Sequence, residues 1–120
     1  MKTILYIEDN SANRILVERV LTKHGYNLLF AADGETGLNM AMDNQPDLIL
    51  MDIGLPDFDG PTIGAMLRQV PHLQGVPIVA ITAWPPETAE QMVQRYNFDG
   101  CITKPISVAN FPSQVAQFVK

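Results

Sequence analysis

A continuous apolar run, Leu48 to Met51, stops at a single carboxylate, Asp52, near the middle of the chain. Such a run, bounded by turn-forming residues, is typical of a strand that is buried on both faces. The next eight residues include two glycines, a proline and two further acids, which is the composition of an exposed loop. Asp52 is therefore expected at the carboxyl end of a central strand, where open α/β sheets bind their ligands. The plainer explanation is that Asp52 only caps the strand or begins a turn.

Five short apolar runs, each followed by a stretch with helical periodicity, make up the chain. This alternation, with short connections, is typical of a parallel sheet with helices on both faces. Right-handed crossovers leave few topologies for such a chain. No repeat or low-complexity segment interrupts the pattern, so we expect residues 1–120 to form one domain of the doubly wound α/β class. The predicted strands are 3–7, 27–32, 48–51, 76–82 and 101–103.

Helix boundaries are predicted from capping residues. Ser11 and Asp33 are the expected N-caps of the first two helices, and Gly25 is expected just after the end of the first. Ser107 is the expected cap of the last helix. Pro112 lies inside that last pattern, so the helix either starts late or is kinked early.

Composition and charge exclude several classes of protein. The formal net charge is −5 and the basic residues are scattered, which argues against a nucleic-acid surface. The one cysteine, Cys101, allows no intramolecular disulfide and no Cys-rich zinc site, and it fits a reducing compartment. The first apolar run is too short for a secretion signal, and no stretch approaches the ~20 apolar residues of a membrane helix. We expect a cytoplasmic protein that binds neither nucleic acid nor membrane.

Reactive side chains stand at the carboxyl ends of four of the predicted strands. They are Glu8 and Asp9 after the first, Asp52 after the third, Thr82 in the fourth and Lys104 after the fifth. In a parallel sheet these ends share one edge, so the groups are expected to converge in one cleft. Carboxylates ~4 Å apart repel by roughly 4 kcal/mol at an effective dielectric of about 20. Lys104 supplies one compensating charge, and Mg²⁺ or Mn²⁺ would supply the rest.

Such a cleft is suited to a phosphoryl group. A metal and Lys104 would neutralise phosphoryl oxygens, and Thr82 could donate a hydrogen bond to one of them. A carboxylate can attack phosphorus, and Asp52 is the candidate nucleophile because it comes from the central strand. Taken singly, each residue has a structural explanation, such as acids that favour a helix start or an ordinary surface lysine. Their joint occurrence at one sheet edge favours function.

From ILYIEDN through LILMDIGLPDFDG and VAITA to CITKP, the chain resembles the receiver (CheY-like) domains of two-component response regulators over its whole length. The resemblance implies a flavodoxin-like five-stranded sheet in the order 2-1-3-4-5, for which this family is the standard example. It also implies a phosphorelay function. Asp52 would receive a phosphoryl group from a sensor histidine kinase or a phosphotransfer protein in a Mg²⁺-dependent reaction. The domain would then switch the binding of an unidentified downstream protein, catalysing only its own phosphorylation and dephosphorylation.

The resemblance gives each residue at the sheet edge a role. Asp9, Asp52 and the main-chain carbonyl of Gly54 correspond to metal ligands, and Glu8 corresponds to an acid that acts through metal-bound water. Lys104 corresponds to a lysine that pairs with the phosphoryl group, and Thr82 to a residue whose hydroxyl turns inward to meet that group. Ala83 corresponds to a small neighbour that leaves the acceptor accessible. Pro105 matches a proline that is typically cis.

Two features depart from the family pattern. Cys101 stands where the family usually has Tyr or Phe, whose ring moves inward with Thr82. We expect Cys101 to be a small buried hydrophobe, and we hypothesise that Trp84 flanks the acceptor and, with Gly54, controls the access of water. The last helix, 107–118, has no charged side chain, so the ion-pair dimer of some DNA-binding regulators cannot form in the same way. An uncharged surface could still bind a partner or support a homodimer.

Three alternatives remain open from the sequence. A phosphatase with an aspartyl nucleophile would need a second acid two residues after Asp52, where Gly54 stands. A flavin-binding domain would need a phosphate-binding loop after the first strand, where the sequence EDNSAN is acidic. A receiver-like interaction module that no longer signals is favoured only by Cys101. The two histidines, His24 and His72, are expected at solvated helix ends, and two acids, Asp57 and Asp59, are expected to be plain loop charges.

Overall fold

The computed structural model describes residues 1–57 and 59–119, which form alternating strands and helices. The strands are β1 Thr3–Ile7, β2 Asn27–Ala31, β3 Leu48–Asp52, β4 Ile78–Thr82 and β5 Gly100–Thr103. The helices are α1 Ser11–Lys23, α2 Gly34–Asp43, α3 Gly60–Arg68, α4 Pro86–Tyr96 and α5 Phe111–Phe118, with a short 3₁₀ turn at Pro71–Leu73.

The strands form one sheet in the order β2-β1-β3-β4-β5, and every neighbouring pair is parallel. This confirms the predicted doubly wound α/β class and the strand order. All five residues of β3 are buried, as predicted from the apolar run. In the register of the sheet Asp52 lies beside Ile81, and Thr82 lies beside Thr103. The carboxyl ends of the neighbouring strands β3, β4 and β5 are therefore level at one edge of the sheet.

The sheet separates two apolar layers because successive strand residues point to opposite faces. Leu5 and Ile7 of β1 belong to the layer covered by α2, α3 and α4. Ile4 and Tyr6 belong to the layer covered by α1 and α5. A strand with both faces covered in this way must be apolar throughout, which explains why the central strands are continuous apolar runs.

The caps of α1 and α2 show how far local sequence defines the helix ends. Asp33 caps α2 as predicted, with its side chain accepting from the Thr36 N–H at 2.7 Å. The predicted cap Ser11 is wrong, because Asn10 accepts from the Asn13 N–H at 3.0 Å and Ser11 is already helical. After α1, Gly25 has a φ of +87°, the left-handed conformation that favours glycine at this position.

The last helix starts late rather than kinking. It begins at Phe111, so Pro112 lies in the first turn, where the N–H that proline lacks has no helical partner. The predicted N-cap Ser107 is therefore wrong. Its carbonyl and hydroxyl instead hold the turn before the helix, accepting from the Phe111 N–H at 2.8 Å and from the Asn110 N–H at 3.3 Å.

Asp57 and Asp59 are exposed, as predicted, but they are not plain loop charges. Asp59 caps α3 by accepting from the Thr62 N–H at 2.8 Å. Asp57 accepts from the first two N–H groups of α2, those of Gly34 and Glu35, at 2.8 and 3.0 Å. Carboxylates are favoured at helix N-termini because the N–H groups there are unpaired and the dipole is positive. The two acids thus tie the loop after β3 to two helices.

The start of α3 packs directly against the residue that follows β3. A Cβ on Gly60 would lie 2.8 Å from the Cα of Ile53, a backbone contact that leaves no room for a side chain. The Gly60 N–H donates to the Ile53 carbonyl at 3.2 Å. This close approach fixes the chain one residue beyond Asp52.

Candidate functional site

The three acids predicted at the sheet edge converge in the structure. One carboxylate oxygen from each of Glu8, Asp9 and Asp52 can be chosen so that all three lie within 4.8 Å of one another. Glu8 and Asp52 are buried, whereas Asp9 is exposed. Three oxygen ligands at this separation form a donor set suited to a hard divalent cation such as Mg²⁺.

Lys104 follows β5, and its side chain reaches the acids that follow β1 and β3. Its Nζ lies 3.3 Å from Glu8 Oε1 and 3.4 Å from Asp52 Oδ2, and the side chain is 22% exposed. The Lys104 N–H donates to the Thr82 carbonyl at 2.7 Å, which anchors the lysine to β4. The bond between Lys104 and Pro105 is cis, as the resemblance implied.

Glu8 is fully buried and has an asymmetric environment. Its Oε1 accepts from the Asn13 side chain at 2.7 Å as well as from Lys104, but its buried Oε2 has no hydrogen-bond partner within the described ranges. Burial, reinforced by the neighbouring negative charge of Asp52, raises the pKa of Glu8 to about 7. An unpartnered buried carboxylate oxygen is costly, and a cation would relieve that cost.

The pKa of Asp52 is shifted in the opposite direction from that of Glu8. Burial opposes its ionisation, but the neighbouring Glu8 carboxyl, the Gly54 N–H at 3.1 Å and Lys104 together outweigh burial and lower the pKa of Asp52. As pH falls, Glu8 therefore takes up a proton before Asp52 does, and Asp52 stays ionised. An ionised carboxylate at the end of the central strand is what a nucleophile requires.

Two cavities meet at Asp52 and Lys104, which line both of them. The acidic cleft, of about 580 Å³, has Glu8, Asp9 and Asn13 among its other lining residues. The second, of about 190 Å³ and here called the Trp84 cleft, is lined by Asp52, Ile53, Gly54, Thr82, Ala83, Trp84 and Lys104. Gly54, Ala83 and Thr82, the small and hydroxyl residues predicted beside the acceptor, therefore all line the Trp84 cleft.

Trp84 borders the candidate acceptor, as hypothesised. The hydroxyl of Thr82 is buried and accepts from the Trp84 N–H at 3.0 Å, so the two residues are directly connected. A Cβ on Gly54 would come no closer than 3.8 Å to Asp52 Oδ1, so the absence of a side chain there leaves open space. Cys101 lies beside Ala80 and packs against the core as a small hydrophobe, but it is half-buried and not fully buried as predicted.

Sequence reasoning missed Asn13, which orients Glu8. The only signal was that Asn13 lies in the first turn of a helix that begins directly after the acids. Neither histidine contributes to the site. His24 ends α1, with Nδ1 2.9 Å from the Val20 carbonyl, and His72 places Nε2 2.9 Å from the Ala41 carbonyl in α2.

Comparison with known proteins identifies the family. The family described as "response regulator receiver domain" matches residues 4–116. The chain belongs to this family. It is 30% identical over 118 residues to the polar-differentiation response regulator DivK of Brucella anthropi, covering 98% of this chain and 96% of that protein. Receiver domains of response regulators are signalling modules of two-component phosphorelays, in which they interact with histidine kinases and downstream proteins.

Solved structures agree with the fold. The chemotaxis response regulator CheY4 of Vibrio cholerae superposes with a TM-score of 0.93 at 24% identity and covers 99% of each chain. The receiver domain of the sensor histidine kinase PA1611 from Pseudomonas aeruginosa has a TM-score of 0.88 at 28% identity, covering 98% of this chain and 96% of that one. That domain was solved with a magnesium ion coordinated in its active-site cleft. Among the described residues, no helix of this receiver is both long and apolar enough to span a membrane.

Proposed function

We propose that residues 1–120 form a single receiver domain that accepts a phosphoryl group on Asp52 from a histidine kinase or a phosphotransfer protein. The observation that carries this proposal is the environment of Asp52. Its carboxylate is ionised, lies 3.4 Å from the Lys104 ammonium and stands within reach of two further acids. Phosphorylation would then shift the domain between two states that bind a downstream protein differently.

The same site is proposed to hold Mg²⁺, with Mn²⁺ as a substitute. Asp9 and Asp52 would be direct ligands with the Gly54 carbonyl, and Glu8 would act through a bound water. The chemistry of the donors supports this, since hard carboxylate oxygens cluster within 4.8 Å and Glu8 Oε2 lacks a partner among the residues described. When bound, the ion would neutralise charge on the transferring phosphoryl group.

The chain's own residues would carry out the transfer. An oxygen of Asp52 attacks the phosphorus of a phosphohistidine, the P–N bond breaks, and an aspartyl phosphate forms. Lys104, already 3.3–3.4 Å from two carboxylates, is placed to pair with a phosphoryl oxygen. Thr82 would exchange its contact with the Trp84 N–H for a hydrogen bond donated to the phosphoryl group. Water reaching the Trp84 cleft would later hydrolyse the phosphate.

The alternatives have less support in the site. A phosphatase acting on small substrates would need a second acid where Gly54 leaves open space beside Asp52. We therefore propose that the domain catalyses only its own phosphorylation and hydrolysis. We also propose a cytoplasmic location, since the single half-buried Cys101 suits a reducing compartment.

Intact-mass spectrometry after incubation with acetyl phosphate tests this function. We expect a single phosphoryl adduct that requires Mg²⁺ and is absent in the matched variant Asp52→Asn. An adduct that persists in Asp52→Asn would contradict the proposal. If no adduct appears, a stable beryllofluoride complex would indicate a short-lived phosphate, whereas its absence would identify a receiver-like module that does not signal by phosphorylation.

A further inference from the structure

A small groove lies between α3 and α4, beside the Trp84 cleft. We call it the α3–α4 groove; it has a volume of about 270 Å³ and is lined in part by Pro61, Trp84, Gln91, Met92, Arg95 and Tyr96. Pockets that enclose a cofactor or a drug-sized ligand are larger, at roughly 300–1,000 Å³. The α3–α4 groove is therefore suited to one or two side chains of a partner.

The composition of this groove is that of a protein-binding surface. Trp84 and Tyr96 are 45% and 40% exposed and line the same groove, so they form one exposed aromatic patch rather than scattered surface residues. Trp, Tyr and Arg are the residue types that dominate binding energy at protein interfaces, and Met is enriched there as well. Trp, Tyr and Arg occur together in this groove, and Met92, which is mostly buried in the core, also lines it.

The charge of the groove indicates what would bind. Of the described residues that line it, Arg95 alone is charged, and its guanidinium lies 5.5 Å from the centre of the Tyr96 ring. Within residues 1–57 and 59–119, Arg95 has no ion pair or side-chain hydrogen bond. A guanidinium stacked on a ring still directs its N–H donors outward in its plane, where they match a carboxylate.

We propose that the α3–α4 groove docks a short segment of a partner protein in which an acidic side chain stands beside an apolar anchor. The carboxylate would pair with Arg95, and the anchor would pack against Trp84, Met92 and Tyr96. The groove is continuous with the phosphoryl-acceptor region through Trp84, which lines both. The proposal does not depend on phosphorylation, so it stands or falls separately from the role of Asp52.

A library of random short peptides displayed on phage, selected in parallel against the parent protein and Arg95→Glu, tests the proposal. We expect the parent to enrich peptides with Asp or Glu next to a large apolar residue, and Arg95→Glu to enrich Lys or Arg at that place. Thermal melting checks that the variant is folded. The same consensus from both proteins, or no enrichment from the parent, would overturn the proposal.

The selected peptides, labelled with a fluorophore, then locate the site. Fluorescence polarisation is expected to show affinity weakened about tenfold or more by Arg95→Gln and by Trp84→Ala, with little change in the control Arg19→Gln on α1. Unlabelled peptides lacking tryptophan should shift the emission of Trp84, which is the only tryptophan in the chain. An unchanged emission would refute docking in this groove. So would a parent dimer that Arg95→Glu dissociates in sedimentation experiments, because the occupant would then be a second copy of the chain.

Discussion

Replacing Lys104 by methionine removes the cation that lies between two buried carboxylates. Its Nζ is 3.3 Å from Glu8 Oε1 and 3.4 Å from Asp52 Oδ2. Methionine keeps most of the apolar stem of lysine, so the change is chiefly one of charge. Lys2→Met, at an exposed position, is the matched control.

The expected loss of stability follows from these distances. Each attraction is worth roughly 5 kcal/mol at an effective dielectric of about 20, but desolvation of the three groups offsets much of this. Breaking a buried pair typically costs about 3–5 kcal/mol. Glu8 can take up a proton, because its pKa is already raised to about 7, so only Asp52 keeps a full unpaired charge. We therefore expect Lys104→Met to lose about 3 kcal/mol in the metal-free protein at neutral pH.

Urea unfolding in EDTA, monitored by Trp84 fluorescence, measures this loss, and pH and Mg²⁺ provide two internal checks. The folded-state pKa of Asp52 is lowered in the parent, so its contribution to stability is present above the usual Asp pKa and is lost as pH falls through the folded value. The difference between parent and variant should therefore shrink in acid. Without the Lys104 charge, the carboxylates should bind Mg²⁺ more tightly. Mg²⁺ should therefore stabilise Lys104→Met more than the parent, because each tenfold gain in affinity adds about 1.4 kcal/mol.

A Lys104→Met variant that unfolds at the same urea concentration as Lys2→Met would refute this reasoning. It would mean that the carboxylates are solvated well enough to need no cation. A penalty that stays constant from neutral to acid pH would also contradict it, because the loss would then come from packing rather than charge.

Further predictions concern the metal, the lifetime of the phosphate and the loop after β3. The Mg²⁺ affinity of the parent should rise as pH increases through about 7, since Glu8 must lose its proton, and Glu8→Gln should flatten this dependence in fluorescence titrations; an equal slope would exclude Glu8. Trp84→Ala should speed loss of the phosphoryl adduct several-fold in mass spectra, because it opens the cleft beside Asp52; equal decay rates would show that Trp84 does not limit water. Gly60→Ala should cost about 2–3 kcal/mol in urea unfolding because its Cβ would meet the backbone of Ile53. The control Gly75→Ala, whose Cβ meets no atom within 4 Å, should cost far less.

The central strand and the meeting of the acids were predictable because both depend on simple rules. The short apolar run before Asp52, bounded by turn residues, is typical of a strand covered on both faces, and parallel strands bring their carboxyl ends to one edge. The cap of α1 was not predictable, since Asn10 and Ser11 are adjacent and equally capable acceptors. The contact of Asp57 with Gly34 joins residues 23 positions apart, for which the local sequence holds no signal.

The distribution of protons in the site was also beyond the sequence. Glu8 and Asp52 are both carboxylates at strand ends, and nothing in their neighbours along the chain tells them apart. Burial raises the pKa of both, and the nearby Asp52 charge raises that of Glu8 further, whereas the Gly54 N–H and Lys104, together with the Glu8 carboxyl, outweigh burial at Asp52. Contacts across the fold decide which of the two carboxyl groups ionises more readily, and these contacts emerge only from the three-dimensional arrangement.

The two cavities that share Asp52 and Lys104 have a consequence for how such a signalling protein evolves. Under the proposed function, Glu8 and Asp9 face the acidic cleft alone, whereas Trp84 faces the other cavity and holds no ion. A substitution at Trp84 can lengthen or shorten the signal while leaving the acid cluster unchanged. Selection can therefore adjust how long a message lasts without risking the capacity to receive it.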